Sequence, residues 1–102
     1  MYCDPKIPKE SKADIHSGVC NRLNDMYRCK NADYGDSFYK LREEYPEAIC
    51  VRLQDKLNRL KTLIRNEAQV KEESIEDTLL DLANYAIMEV VERRYKEERD
   101  HE

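Results

Sequence analysis

Two acids one helical turn apart are the first residues in this chain whose spacing suggests chemistry. Within Glu72–Met88, EESIEDTLLDLANYAIM, the residues Asp77, Asp81, Asn84 and Met88 fall at offsets of four, seven and eleven. At about 100° per residue these positions share one line along a helix. Stacked carboxylates repel each other unless a cation or a basic side chain lies between them. Oxygen ligands converging from helix faces suit a hard divalent cation, whose shell phosphate oxygens and water complete. Glu73 lies near the same line, just ahead of the expected helix start.

The basic residues form a second line. Arg52, Asp55, Lys56 and Arg59 recur at helical spacing, away from the apolar stripe of Leu53, Leu57 and Leu60. Guanidinium and ammonium groups in that register could clamp a polyanion through charge-assisted hydrogen bonds. The plainer alternative is a solvated face, on which an Asp55–Arg59 pair contributes about 0.2–0.5 kcal/mol. An Asp77–Arg59 salt bridge would satisfy both lines with no ligand at all. A third group, Lys30, Asp33 and Tyr34, sits in the segment KNADYG, which also reads as a helix C-cap followed by a turn.

Other chemistries find little support. His16 and His101 stand apart and complete no hydrolytic triad. The four cysteines, Cys3, Cys20, Cys29 and Cys50, form no CxxC pair, and a zinc site with His16 as fourth ligand would have irregular spacing. With only 2 glycines in the chain, no phosphate-binding loop or dinucleotide fingerprint exists.

The elements that position these residues follow from composition and periodicity. The 2 glycines and 3 prolines leave little turn chemistry for a sheet, so the chain is expected to be all-α. A first helix is expected from about Lys9 to Lys30, carrying Ile15, Val19, Leu23, Met26 and Tyr27 on one face. The turn Asn31–Gly35 ends it, and Asp36 caps a short helix that runs to Glu44 before Pro46. The third runs from about Pro46 to Asn66 on the stripe Ile49, Leu53, Leu57, Leu60 and Ile64. The fourth opens at Ser74, with Asp77 completing a capping box. It is apolar over much of its circumference, through Ile75, Leu79, Leu80, Leu82, Ala83, Ala86, Ile87, Val90 and Val91, and should be central. From Glu92 to Glu102 the chain lacks an apolar stripe, as a solvated helix end or a frayed tail would. One domain is expected over residues 1–102, with its core between about 9 and 91.

A chain of 102 residues with 39% charged positions builds a thin core, so missing burial should come from a partner subunit. The net charge of −4 argues against general nucleic-acid binding, though not against a local basic pocket. No apolar run approaches the roughly 20 residues needed to span a bilayer. The N-terminal MYCDPKIPKESK lacks the apolar core of a secretory signal, so a cytoplasmic location with reduced thiols is expected.

Three segments add a resemblance. KNADYGDSF (Lys30–Phe38), RLQDKLNRLKTLI (Arg52–Ile64) and EESIEDTLLDLANYAIM (Glu72–Met88) resemble the family called Nucleotide modification associated domain 1. That family, found in bacteriophages and bacteria, is grouped with the all-alpha, MazG-like nucleotide pyrophosphohydrolases. The resemblance spans about Ile15 to Val91 and implies a four- or five-helix bundle that assembles as a homo-oligomer. It further implies that acids on neighbouring helices hold Mg²⁺ or Mn²⁺ against a nucleoside triphosphate. Asp77 and Asp81 stand where MazG-like enzymes carry the acidic pair of the later helix. Asp55 is the one acid on the matching face of the earlier helix, where those enzymes show an ExxE pattern and this chain reads Arg52-Leu53-Gln54-Asp55-Lys56.

The resemblance therefore implies a triphosphate pyrophosphohydrolase. Asp55, Asp77 and Asp81 would hold the metal, and Glu73 would orient the attacking water. Arg52, Lys56, Arg59 and Lys30 would grip the phosphates, Tyr34 or Tyr85 would stack on the base, and Asp33 and Asn84 would complete the nucleotide site. A non-catalytic module that sequesters or senses a nucleotide would use the same basic residues. A structural subunit, with its polar lines internally salt-bridged, needs no ligand.

Overall fold

The computed structural model describes residues 10–34, 37–66 and 72–100; at 31–34, 72–73 and 99–100 it describes the backbone alone. Four helices account for nearly all of it: α1 (Lys12–Tyr34), α2 (Ser37–Glu44), α3 (Ala48–Arg65) and α4 (Glu72–Asp100). Among the described residues there is no strand. The protein is all-α, as its glycine-poor composition requires. No helix among the described residues is long and apolar enough to cross a membrane.

Capping chemistry explains where α1 starts and corrects one expectation. The Ser11 hydroxyl accepts from the Asp14 N–H at 3.1 Å, and an Asp14 carboxylate oxygen accepts from the Ser11 N–H at 3.4 Å. This is a capping box with aspartate in the third position. The same Ser-x-x-Asp spacing at Ser74 and Asp77 forms no such box, because α4 has already begun at Glu72. Ser74 is inside the helix, where its carbonyl accepts the buried Thr78 hydroxyl at 2.8 Å.

The first turn was also expected too early. α1 continues through Asn31, Ala32, Asp33 and Tyr34 rather than stopping at Lys30. The expected N-cap, Asp36, and the breaker Gly35 lie outside the described residues. α2 ends at Glu44, two residues before Pro46, and α3 begins where the Ala48 N–H donates to the Tyr45 carbonyl at 2.9 Å. At the far end the Asn66 N–H closes α3 on the Thr62 carbonyl at 3.2 Å. The charged end from Glu92 onward is helical as far as Asp100.

The core is small. Among the described residues, Leu23, Phe38, Ala48, Ile49 and Leu80 are its buried apolar side chains, drawn from all four helices. The main packing is α3 against α4, while α1 and α2 make lighter contacts. The expected stripes are therefore only partly covered: on α1 Leu23 is buried, but Ile15 and Val19 are exposed. On α3 Ile49 is buried, while Leu57 and Ile64 are exposed. Helical periodicity marks the face that can be buried; this fold buries part of it.

A part-buried ion pair fastens α2 to α4. Arg42 donates from Nε and a terminal nitrogen to the two Glu89 oxygens, at 2.8 and 3.0 Å, and Arg93 Nε adds a third bond of 2.7 Å. Glu89 is 8% exposed. Fork-on-fork pairing fixes orientation as well as distance. It sets α2 beside the cleft described next.

Candidate functional site

All four helices contribute to one cleft of about 580 Å³. That volume is in the range of small-molecule sites. α1 supplies Tyr27 and Lys30, and α2 supplies Ser37, Phe38 and Leu41. From α3 come Arg52 and Lys56, and from α4 come Asp81, Asn84, Tyr85 and Met88. Among the described residues, three cations and one acid give the lining a charge of +2 in a chain whose net charge is −4. The positive charge is thus local, concentrated where four helices meet.

Within the cleft, the Lys56 ammonium lies 3.3 Å from Asp81 Oδ2, with both side chains part-exposed. One turn earlier on α3, the Arg52 guanidinium sits 5.9 Å from the centre of the Tyr85 ring. A cation over an aromatic face is worth about 0.5–1 kcal/mol at such a site. Phe38 approaches Tyr85 from α2, with ring centres 6.1 Å apart and planes inclined at 47°. Arg52, Tyr85 and Phe38 form a shelf with one charged and two aromatic members.

Asn84 is the polar group that most needs a partner. It is 7% exposed, and among the described residues nothing hydrogen-bonds its side-chain amide. Buried amides without partners are rare, because desolvating them costs about 1–3 kcal/mol. This one lines the cleft and carries both a donor and an acceptor.

The residues singled out from sequence divide into three groups. Lys30, Arg52, Lys56, Asp81, Asn84 and Tyr85 converge on the cleft. Asp55, Arg59 and Asp77 do not line it and are exposed. Arg59 is two turns beyond Arg52, about 10 Å along α3, and so passes the end of the cleft. Asp55 is rotated about 100° from Lys56, and Asp77 is one turn above Asp81. Among the described residues no ion pair joins Asp77 to Arg59, so that neutralising arrangement is absent there. The side chains of Asp33, Tyr34 and Glu73 lie outside the described residues.

Tyr27, Ser37, Phe38 and Leu41 were not singled out as site residues. Tyr27 looked like core, since it shares spacing with Leu23, and it does border the buried face. Nothing in α2 alone marks Phe38 as a site residue. Its role depends on Arg42 docking α2 against Glu89.

The acids among the described residues do not by themselves fit a protein-held Mg²⁺ or Mn²⁺. Such an ion wants several oxygen ligands in near-octahedral array. Of Asp55, Asp77 and Asp81, Asp81 alone reaches the cleft, and it is paired with Lys56. Among the described residues no three His, Cys, Asp or Glu side chains are grouped to hold a metal ion. His16 and Cys20 approach at 3.7 Å on exposed α1, again as a pair alone.

Residues 30–92, more than half of the chain, match the family described as Nucleotide modification associated domain 1. The chain belongs to that family. No curated protein and no solved structure matches it. The Nucleotide modification associated domain 1 segment contains every residue lining the cleft except Tyr27. The family segment and the cleft are thus nearly the same part of the molecule.

Proposed function

We propose that this domain binds a phosphorylated nucleotide in the cleft between its four helices. The observation that carries this reading is the convergence of Lys30, Arg52 and Lys56 beside the Tyr85–Phe38 shelf in an otherwise acidic chain. Phosphate oxygens take the three cations, with Arg52 suited to forked contact. The base stacks on the half-buried Tyr85 ring, which Phe38 backs from the core, and the Asn84 amide reads a base edge or a sugar hydroxyl. The family description, nucleotide modification associated, agrees with such a ligand. On this reading the protein works in the cytoplasm of a bacterium or a phage-infected cell.

A second reading is hydrolysis of a nucleoside triphosphate to the monophosphate and pyrophosphate, favoured by the Asp81 carboxylate standing among the cations. Lys56 occupies one of its oxygens, and the other would accept a proton from water. That water attacks the α-phosphorus, the bond from this phosphorus to the bridging oxygen breaks, and pyrophosphate leaves. Because the acids do not assemble a metal cage, binding is the primary reading.

Calorimetry with a panel of nucleoside mono-, di- and triphosphates tests it, with pyrophosphate release followed in parallel. Each is run with Mg²⁺, with Mn²⁺ and with chelator. Binding heat without pyrophosphate supports the primary reading, and sustained pyrophosphate release supports the second. Absence of both across the panel leaves a structural subunit.

A further inference from the structure

A second cavity, a groove of about 330 Å³, lies between α1 and α4 beside the cleft. Leu23 from α1 and Ile87, Met88 and Val91 from α4 give it apolar walls. Leu23 is buried, whereas Ile87 and Val91 are 47% and 40% exposed. Apolar surface left in water favours any occupant that covers it. Cys20, Asn24 and Arg28 complete the α1 side, and all three are exposed. Among the described residues Arg28 is the one charged side chain lining the groove.

Tyr27, Asn84 and Met88 line both cavities and form their junction. Going round α4 at about 100° per residue, Tyr85 and Asp81 fall on one side of Asn84, with Ile87 and Val91 on the other. Lys30, Arg52 and Lys56 line the cleft but not the groove. No charged side chain is shared between the two, so a phosphate chain has no counter-charge at the crossing. The α1 residues lining the groove all precede residue 30, where the family segment begins. The groove is thus half outside that segment, whereas the cleft is nearly all within it.

On the reading that the cleft holds a phosphorylated nucleotide, we infer that the groove receives an apolar substituent carried on the base. With the phosphates on the three cations and the base on Tyr85, the base edge reaches Asn84, the buried amide common to both cavities. A group attached to that edge passes Met88, whose flexible thioether adapts to a ring or a chain. It then lies between Leu23, Ile87 and Val91. The ligand class is a nucleoside phosphate whose base bears a bulky hydrocarbon group, aromatic or alkyl. An unsubstituted base leaves Ile87 and Val91 in water, and a substituted one covers them.

Calorimetry of the full chain tests this with ATP and CTP benzylated on the exocyclic amine, GTP benzylated on its carbonyl oxygen, and dUTP carrying a benzylcarboxamide at carbon five. Each is compared with its unsubstituted parent. At least one substituted compound should bind about tenfold or more tightly than its parent, through the apolar area it covers. Ile87→Trp fills the groove from an exposed position and does not line the cleft. It should abolish that advantage and leave parent affinity within about twofold, with an unchanged far-UV circular dichroism spectrum. Val91→Trp, one turn further along α4, should do the same and serves if the first variant does not fold. Parents that bind while no substituted compound binds more tightly overturn this inference alone. So does an advantage that survives in both tryptophan variants, which would seat the substituent elsewhere. If no compound of either kind binds, the nucleotide reading fails and this inference fails with it.

Discussion

Lys56 and Asp81 face each other at 3.3 Å across the cleft, one from α3 and one from α4. The ammonium neutralises the one carboxylate that lines the cavity among the described residues. Asp81 therefore has opposite consequences under the two functional readings. If the site only binds, Asp81→Asn removes a repulsive charge near the phosphates. Triphosphate affinity should then rise about fivefold, from ~1 kcal/mol at a partly exposed position. If the site hydrolyses, the same change removes the proton acceptor and pyrophosphate release should fall at least a hundredfold. Measuring affinity and turnover on this one variant separates the readings.

The Arg42–Glu89 pair should be the most costly ion pair to break. Its bidentate bonds hold the Glu89 carboxyl below the ordinary glutamate range against the opposing effect of burial, with Arg93 adding to them. They also raise the Arg42 guanidinium above its ordinary value, so that partner stays charged at any working pH. Arg42→Met should cost about 2–3 kcal/mol, the low end for breaking a buried pair because Arg93 still reaches Glu89. In a domain this size that lowers Tm by roughly 10–20 °C. Arg93→Ala, at an exposed guanidinium, should cost under about 1 kcal/mol. Equal costs for the two variants would show that Arg42 holds nothing special.

The same pair gives acid sensitivity of defined sign. A carboxyl with a lowered folded-state pKa contributes stability that is complete above its unfolded value and is lost as pH falls through the folded one. Urea midpoints should thus drop as pH goes below the ordinary glutamate range, by less in Glu89→Gln than in the wild type. A Glu89→Gln profile parallel to the wild type would contradict this.

How much of this was legible beforehand depended on the range of the interaction. Helix type and order follow from local periodicity, and α3 ends within two residues of the expected limits at each end. The Ser-x-x-Asp box was found in the wrong place because two copies of that pattern exist. On α4, Asp81, Asn84 and Met88 share both a line and the cleft, whereas Asp77 shares only the line. A helical wheel gives direction around the axis but not where along it the neighbouring helices stop. Phe38 and Glu89 were invisible for a related reason. Their roles arise from α2 docking on α4, with Arg42 and Glu89 47 positions apart in the sequence.

The aromatic shelf gives a prediction that separates stacking from hydrogen bonding. Tyr85 offers its ring to Arg52 on one side and Phe38 on another. Tyr85→Ala should weaken nucleotide binding about tenfold or more, since stacking on an aromatic is worth about 1–3 kcal/mol per base. Tyr85→Phe, which keeps the ring, should stay within threefold of wild type. Inorganic triphosphate, having no base, should bind both variants alike. If it loses affinity to Tyr85→Ala as the nucleotide does, the ring is acting through Arg52 rather than on the base.

Three cations and one paired acid also predict how binding responds to ions. Lys30, Arg52 and Lys56 already supply the positive charge that phosphates demand, and among the described residues the acids needed to retain a divalent ion are not gathered around them. Chelator should therefore leave triphosphate affinity within a factor of about two, while salt should weaken it steadily through screening of the partly exposed cations. Lys56→Gln should reduce both affinity and salt dependence, because it removes a cation that the phosphates use. Arg59→Gln, on an exposed turn beyond the cleft, should change neither measurably. Affinity that vanishes with chelator and returns with Mg²⁺ would mean that a metal carries the phosphates and that the lysine does not replace it.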